Sequence, residues 1–163
     1  MGGKSRINNR DIALSGLFAA LYAVTVLLLA PISFEIFQIR LADALLPLSI
    51  IFGFPAVIGV TLGTILANFT SPFGVIDILG GTIANFLAAF TAWKIGCKTF
   101  HGSWIIAILV ENLIVTIIVG TYLSILIEIP IEISLSGVFI GSFIAMNIFG
   151  YILLKVVKSR LSK

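Results

Sequence analysis

The sequence predicts an all-α integral membrane protein of six transmembrane helices, with both termini in the cytoplasm. Three observations predict it. The 163 residues are 60% hydrophobic and 10% charged, whereas a soluble domain averages about 25% charged residues. Mean hydropathy is +1.20, so the folded chain would expose far too much apolar surface to water. Apolar runs near the ~20 residues needed to cross a bilayer recur along the chain, and the basic residues between them collect on one side.

The elements follow in order. Residues 12–30 form a first span, ending before Pro31. Met1 to Arg10 are polar and basic, and the run that follows is long enough to span, so no cleavable signal peptide is expected. Arg6 stands where a myristoylation site needs Ser or Thr. Residues 76–93, 104–127 and 135–157 give further spans, with Trp93 as an interfacial anchor. The stretch 41–69 reads either as one long kinked helix or as two, 41–52 and 55–69, hinged at Gly53-Phe54-Pro55.

Charge decides between them. With two helices, Lys4, Arg6, Arg10, Lys94, Lys98, Lys155, Lys158, Arg160 and Lys163 share one side, and only Arg40 lies opposite. With one helix the split is three against seven. Basic residues favour cytoplasmic loops, so six spans is the better arrangement. The formal charge of +3 therefore speaks of topology, not of nucleic acid. The length suits one membrane domain over residues 1–163, in the cell membrane, with no room for a soluble catalytic domain.

The segment 41–52 is about 18 Å long as an α-helix, against about 30 Å of hydrocarbon. The connection 31–40 must then enter the membrane from outside. Irregular backbone at that depth is tolerated only within protein or beside a wet cavity. This marks residues 36–47 as one wall of a ligand pocket.

Intramembrane polar residues are costly and default to function. Arg40 and Asp43, at i and i+3, either pair with each other or contact a ligand, with Gln38 on the same wall. Asn68, Asp77 and Asn85 cluster about the outer connection 69–76; Asp77 either caps a helix or meets ligand. Glu111 and Asn112 are the deepest pair, serving ligand contact or helix–helix hydrogen bonding. Asn147 reads as a packing hydrogen bond. Glu128 and Glu132 flank Pro130 in an outer loop and read as solvated. Ser15, Ala19 and Ala23 recur every four residues, with Gly16 and Ala20 beside them. Small residues at this spacing admit another helix, either of a partner or of the same bundle. Gly59/Gly63 and Gly137/Gly141 read as internal seams.

Catalysis finds little support. Cys97 is the sole cysteine and His101 the sole histidine, so neither a disulfide nor a cysteine metal cluster is expected. Hydrolase, zinc-protease and nucleotide-binding motifs are missing from the sequence. No cofactor or metal is expected, and no motif for ATP hydrolysis is visible.

Taken together, these features resemble a substrate-binding S component of an energy-coupling-factor (ECF) transporter. Ala19-Ala20-Leu21-Tyr22-Ala23 matches that family's Ala-x-x-x-Ala motif. The central block resembles the QueT family, proposed importers of queuosine precursors. The matching residues are Gln38-Ile39-Arg40-Leu41-Ala42-Asp43-Ala44-Leu45 with Pro47, then Gly59, Gly63, Asn68, Asp77, Gly80 and Asn112. The family commonly has Glu where this chain has Asp43.

The resemblance implies a six-helix bundle that captures a 7-deazaguanine such as preQ0 or preQ1. It implies docking through Ser15, Ala19 and Ala23 onto a transmembrane T component served by two ATPase subunits. Asp43, Asp77 and Glu111 would suit the N–H donors of the base, and Arg40, Gln38, Asn68 and Asn112 its carbonyl. Phe34, Phe37, Phe69 and Phe73 would stack on it. Another flat vitamin fits the same residues. The alternatives are a self-contained homo-oligomeric transporter and a small membrane enzyme.

Overall fold

The computed structural model describes residues 8–29, 40–98 and 102–162. Helix α1 spans Asn9–Leu28. The Asn8 amide at its start donates to the Asp11 carboxylate at 3.4 Å, and an acid in a first turn also suits the helix dipole. Helix α2, Leu41–Phe52, begins as a 3₁₀ helix over Leu41–Leu48 with Pro47 inside it, then closes as α-helix over Ser49–Phe52. The greater rise of a 3₁₀ helix stretches α2 to about 22 Å, still short of a bilayer.

Gly53, at φ +68°, breaks the chain between α2 and α3 in a conformation that favours glycine. Helix α3 follows over Phe54–Asn68, with Pro55 in its first turn, where the missing N–H costs nothing. Helix α4 spans Gly74–Gly96, α5 spans Ser103–Ile127, and α6 spans Ile131–Leu161. Within α6, Phe143–Gly150 is wound as a π-helix. No strand occurs among the described residues.

Four of these helices, α1, α4, α5 and α6, are long and apolar enough to cross a membrane; α2 and α3 are apolar but shorter. Large apolar side chains stand on the outside, including Leu17, Leu28, Leu79, Ile117, Ile125 and Ile152. This belt is what lipid covers in a multi-pass membrane protein.

The helices pack in the order α1, α3, α4, α5, α6, and α2 closes the ring between α6 and α1. Helix α2 touches all five of the others. Its Ala42, Asp43, Ala44, Leu46, Pro47, Leu48, Ser49 and Ile50 are buried. The shortest of the six is thus the hub of the bundle.

Small residues set the seam between α1 and α3. A β-carbon on Gly59 would stand 2.4 Å from Phe18 Cβ and 2.7 Å from the Ser15 carbonyl. One on Gly63 would meet Tyr22 Cβ at 2.7 Å and the Ala19 carbonyl at 2.8 Å. The Ser15 hydroxyl donates to the Pro55 carbonyl at 2.9 Å. Ser15 and Ala19, two residues of the docking face expected on α1, line this internal seam, and Ala19 and Ala23 are buried. Gly16 and Ala20 are exposed.

The seam makes a paired prediction. Gly63→Ala should destabilise the detergent-solubilised protein by about 1–3 kcal/mol, the usual cost of overpacking. Gly16→Ala, where an added β-carbon meets nothing within 4 Å, should be neutral or stabilising by up to about 1 kcal/mol. Thermal unfolding of both variants checks this; equal shifts would show that the seam is not tightly packed.

Candidate functional site

The buried charged residues among those described are Arg40, Asp43, Asp77 and Glu111. Four helices of the ring, α1, α3, α4 and α5, and the hub supply them with polar neighbours. Arg40 stands at the start of α2 and reaches Asp77 in the first turn of α4. Its Nη2 donates to Oδ2 at 3.1 Å and to Oδ1 at 3.3 Å. The Tyr122 hydroxyl from α5 donates to Asp77 Oδ1 at 2.5 Å, and Asn68 Nδ2 from α3 donates to the Asp77 carbonyl at 2.8 Å. Four elements therefore meet on one carboxylate and its peptide.

A second network lies deeper. Asp43 is one turn along α2 from Arg40 and accepts the Tyr22 hydroxyl at 2.7 Å. Asn85 Nδ2 donates to the Tyr22 oxygen at 2.7 Å and to Thr64 Oγ1 at 2.8 Å. Asn85 lies two turns beyond Asp77 on α4, about 12 Å by helical rise. The two networks are neighbours across Gly81, where a β-carbon would come within 2.6 Å of Asn68 Nδ2 and 3.6 Å of Arg40 Nη1 and of Thr64 Cγ2. Only a residue without a side chain lets these groups approach the α4 backbone.

Deeper still, α5 carries Glu111 and Asn112, both fully buried. Asn112 Oδ1 accepts the Thr116 hydroxyl at 3.4 Å. Both Glu111 oxygens and Asn112 Nδ2 are buried with no hydrogen-bond partner among the described residues, and so are Asn68 Oδ1 and, on the π-helical stretch, Asn147 Oδ1. Most buried polar groups find partners, so this is an unusual concentration of unused capacity.

The pairing differs from the local one the sequence allows. Arg40 forms a salt bridge with Asp77, 37 residues away, while Asp43 accepts the Tyr22 hydroxyl. Asp77 does not cap α4, because Phe73 holds the N-cap position. Gln38, Phe34 and Phe37 lie outside the described residues. Tyr22, Thr64 and Tyr122 are central to the networks, yet sequence reasoning did not single them out. The available signal was a tyrosine or threonine in an apolar helix, whose hydroxyl needs a partner once buried. A cavity of ≈ 430 Å³ opens at the other end of α4, between Ile50, Gly96, Lys98, Trp104 and Lys158, and shares no residue with the polar networks.

An apolar helical bundle that encloses a closed polar cluster beneath a lipid-facing belt is a multi-pass membrane protein, and its sequence family makes it a transporter component. The chain belongs to the QueT transporter family, whose sequence model matches residues 12–159. No curated protein and no solved structure matches it.

The Arg40–Asp77 pair can be tested by a double-mutant cycle. Arg40→Gln strips the buried carboxylate of its counter-charge and should cost about 3–5 kcal/mol. Asp77→Asn should be similarly harmful. The double variant should recover at least half of that loss in thermal unfolding. Additive losses would mean that the two side chains are not coupled.

Proposed function

We propose that this chain is the substrate-binding membrane subunit of an ECF-type importer, capturing a queuosine precursor of the 7-deazaguanine class from the exterior. The observation that carries the reading is the unspent hydrogen-bonding capacity inside a QueT-family bundle: Asn68 Oδ1, Asn112 Nδ2 and both Glu111 oxygens. A guanine-like edge presents N–H donors beside a carbonyl acceptor. Carboxylates suit the donors, and an amide or guanidinium suits the carbonyl. The reading is supported by the grouping of Asp77 with Arg40 and Asn68, and of Asp43 with Tyr22 and Asn85, in two neighbouring hydrogen-bonded networks.

Such a binder has no ATP-hydrolysing motif of its own, so a T component and two ATPase subunits would energise it. Their contact on α1 is assigned to the outward Gly16 and Ala20, since Ala19 and Ala23 are turned inward. The six-span arrangement with both termini in the cytoplasm rests on the one-sided distribution of Lys and Arg.

Titration of the purified protein with 7-deazaguanine bases and with unrelated vitamins is the direct test. The expected result is saturable binding of a deazaguanine, weakened at least about tenfold by Arg40→Ala or Asp43→Ala, the range for hydrogen bonds to charged groups. Selective binding of an unrelated vitamin would overturn the substrate. For docking, Gly16→Leu with Ala20→Leu should abolish uptake in cells while binding by the purified protein persists. Surviving uptake would remove α1 as the partner surface.

A further inference from the structure

At the end of the bundle where α4 and α6 finish and α5 begins, a cavity of ≈ 430 Å³ opens between Ile50, Ile51, Gly96, Lys98, Trp104 and Lys158. Its volume falls within the range of small-molecule sites, about 300–1,000 Å³. Two lysines and no acid line it. Both lysines are exposed, and among the described residues no carboxylate pairs with either. Their neighbours differ: the Lys94 ammonium lies over the Trp93 ring at 4.1 Å, and that of Lys155 over the Tyr151 ring at 4.6 Å. Ser103, the first residue of α5, also lines the cavity. The first amides of a helix lack intrahelical acceptors and carry the positive end of its dipole, and Gly102 at this N-cap has no side chain with which to cap them. Two ammonium groups and a helix start therefore border one space whose lining offers them no carboxylate.

The lining is amphipathic, with Ile50, Ile51 and Trp104 beside the lysines. A second cavity of ≈ 270 Å³ adjoins it through Ser103 and Trp104 and reaches Ile105 and Tyr151. Ile105 stands on the exposed apolar exterior, so the combined space leads from the lysines to the surface that lipid covers. A soluble phosphate fills only the polar part of such a space. A phospholipid fills both parts, its phosphate at the ammonium groups and its glycerol and upper acyl chains along Trp104 and Ile105. On the topology proposed above this end faces the cytoplasm, where anionic lipids concentrate and basic pockets between helices hold their head groups. We propose that this cavity seats the phosphate head group of an anionic phospholipid, with Lys98 and Lys158 as its charged contacts. The seat shares no residue with the polar networks around Arg40 and Glu111, and it stands independently of what the interior binds.

Cys97 provides a reporter, because it is the sole cysteine, is exposed and lines the cavity. The full chain in neutral detergent is alkylated with N-ethylmaleimide while lipid is titrated into the micelles. Phosphatidylglycerol should slow alkylation severalfold at saturation, whereas phosphatidylcholine with the same acyl chains, or inorganic phosphate, should not. Lys98→Gln combined with Lys158→Gln should raise the half-saturating lipid fraction at least about tenfold, the loss expected for two basic residues at an anionic head group. Lys155→Gln removes a charge from the same end but outside the cavity, and should leave that fraction within about twofold of the parent. All three lysines are exposed, and thermal profiles matching the parent establish that the variants are folded. An alkylation rate that phosphatidylglycerol leaves unchanged overturns the site. So does slowing that is as strong with phosphatidylcholine, which reports micelle packing, or that persists in the double lysine variant, which reports surface charge alone. Equal slowing by inorganic phosphate overturns the lipid as occupant, in favour of a soluble anion.

Discussion

The bundle depends on a single ion pair, Arg40 to Asp77. Helix α2 is too short to reach across a bilayer and begins with a guanidinium. In lipid that end would be costly. Asp77 gives it a counter-charge, Tyr122 and Asn68 tie the same acid to α5 and α3, and the hub is thereby fixed to three walls at once. The remaining contacts of α2 are apolar and close, such as Pro47 and Ala44 against Gly150 of α6, where a β-carbon would stand 2.9 Å from Pro47 Cγ. Packing of this kind positions a helix but does not choose its depth. The ion pair does.

Around that pair the molecule is arranged from the inside out. Small residues bring α1 and α3 within backbone reach. Hydroxyls and amides line the interior, and aliphatic side chains face lipid. Burying a polar side chain in such a setting requires a partner, because water is not there to supply one. Asp77 and Asp43 meet that requirement with internal hydrogen bonds. Asn68, Glu111, Asn112 and Asn147 leave capacity unused among the described residues. The contrast within one interior separates groups already spent on one another from groups with bonds still to make.

Much of the class was legible in the sequence. Composition and long apolar runs point to an all-helical membrane protein, and those depend on totals and not on detail. The polar residues within the apolar runs, Arg40, Asp43, Asn68, Asp77, Asn85, Glu111 and Asn112, were conspicuous for the same reason, and every one is buried. The pairing was not legible. Arg40 has an acid three residues away and chooses one 37 residues away, a decision made by helix packing. Tyr22 and Tyr122 escaped notice because tyrosine is ordinary in a membrane helix. Only the fold shows that these two point inward. The small face of α1 is ambiguous in a similar way. Four-residue spacing says that some helix comes close, but it does not say whose. In a helix flanked by lipid outside and apolar core inside, hydrophobicity gives no contrast between the two faces.

The hub also constrains how the chain comes into being. Ribosomes deliver α2 second, yet its Arg40 finds its acid only when α4 has been made, and the tyrosine that steadies that acid arrives with α5. The ion pair that fixes α2 can therefore close only once α4 has been made, and its full hydrogen-bonding only once α5 has. The element at the centre of the finished protein is completed by partners that follow it in the chain.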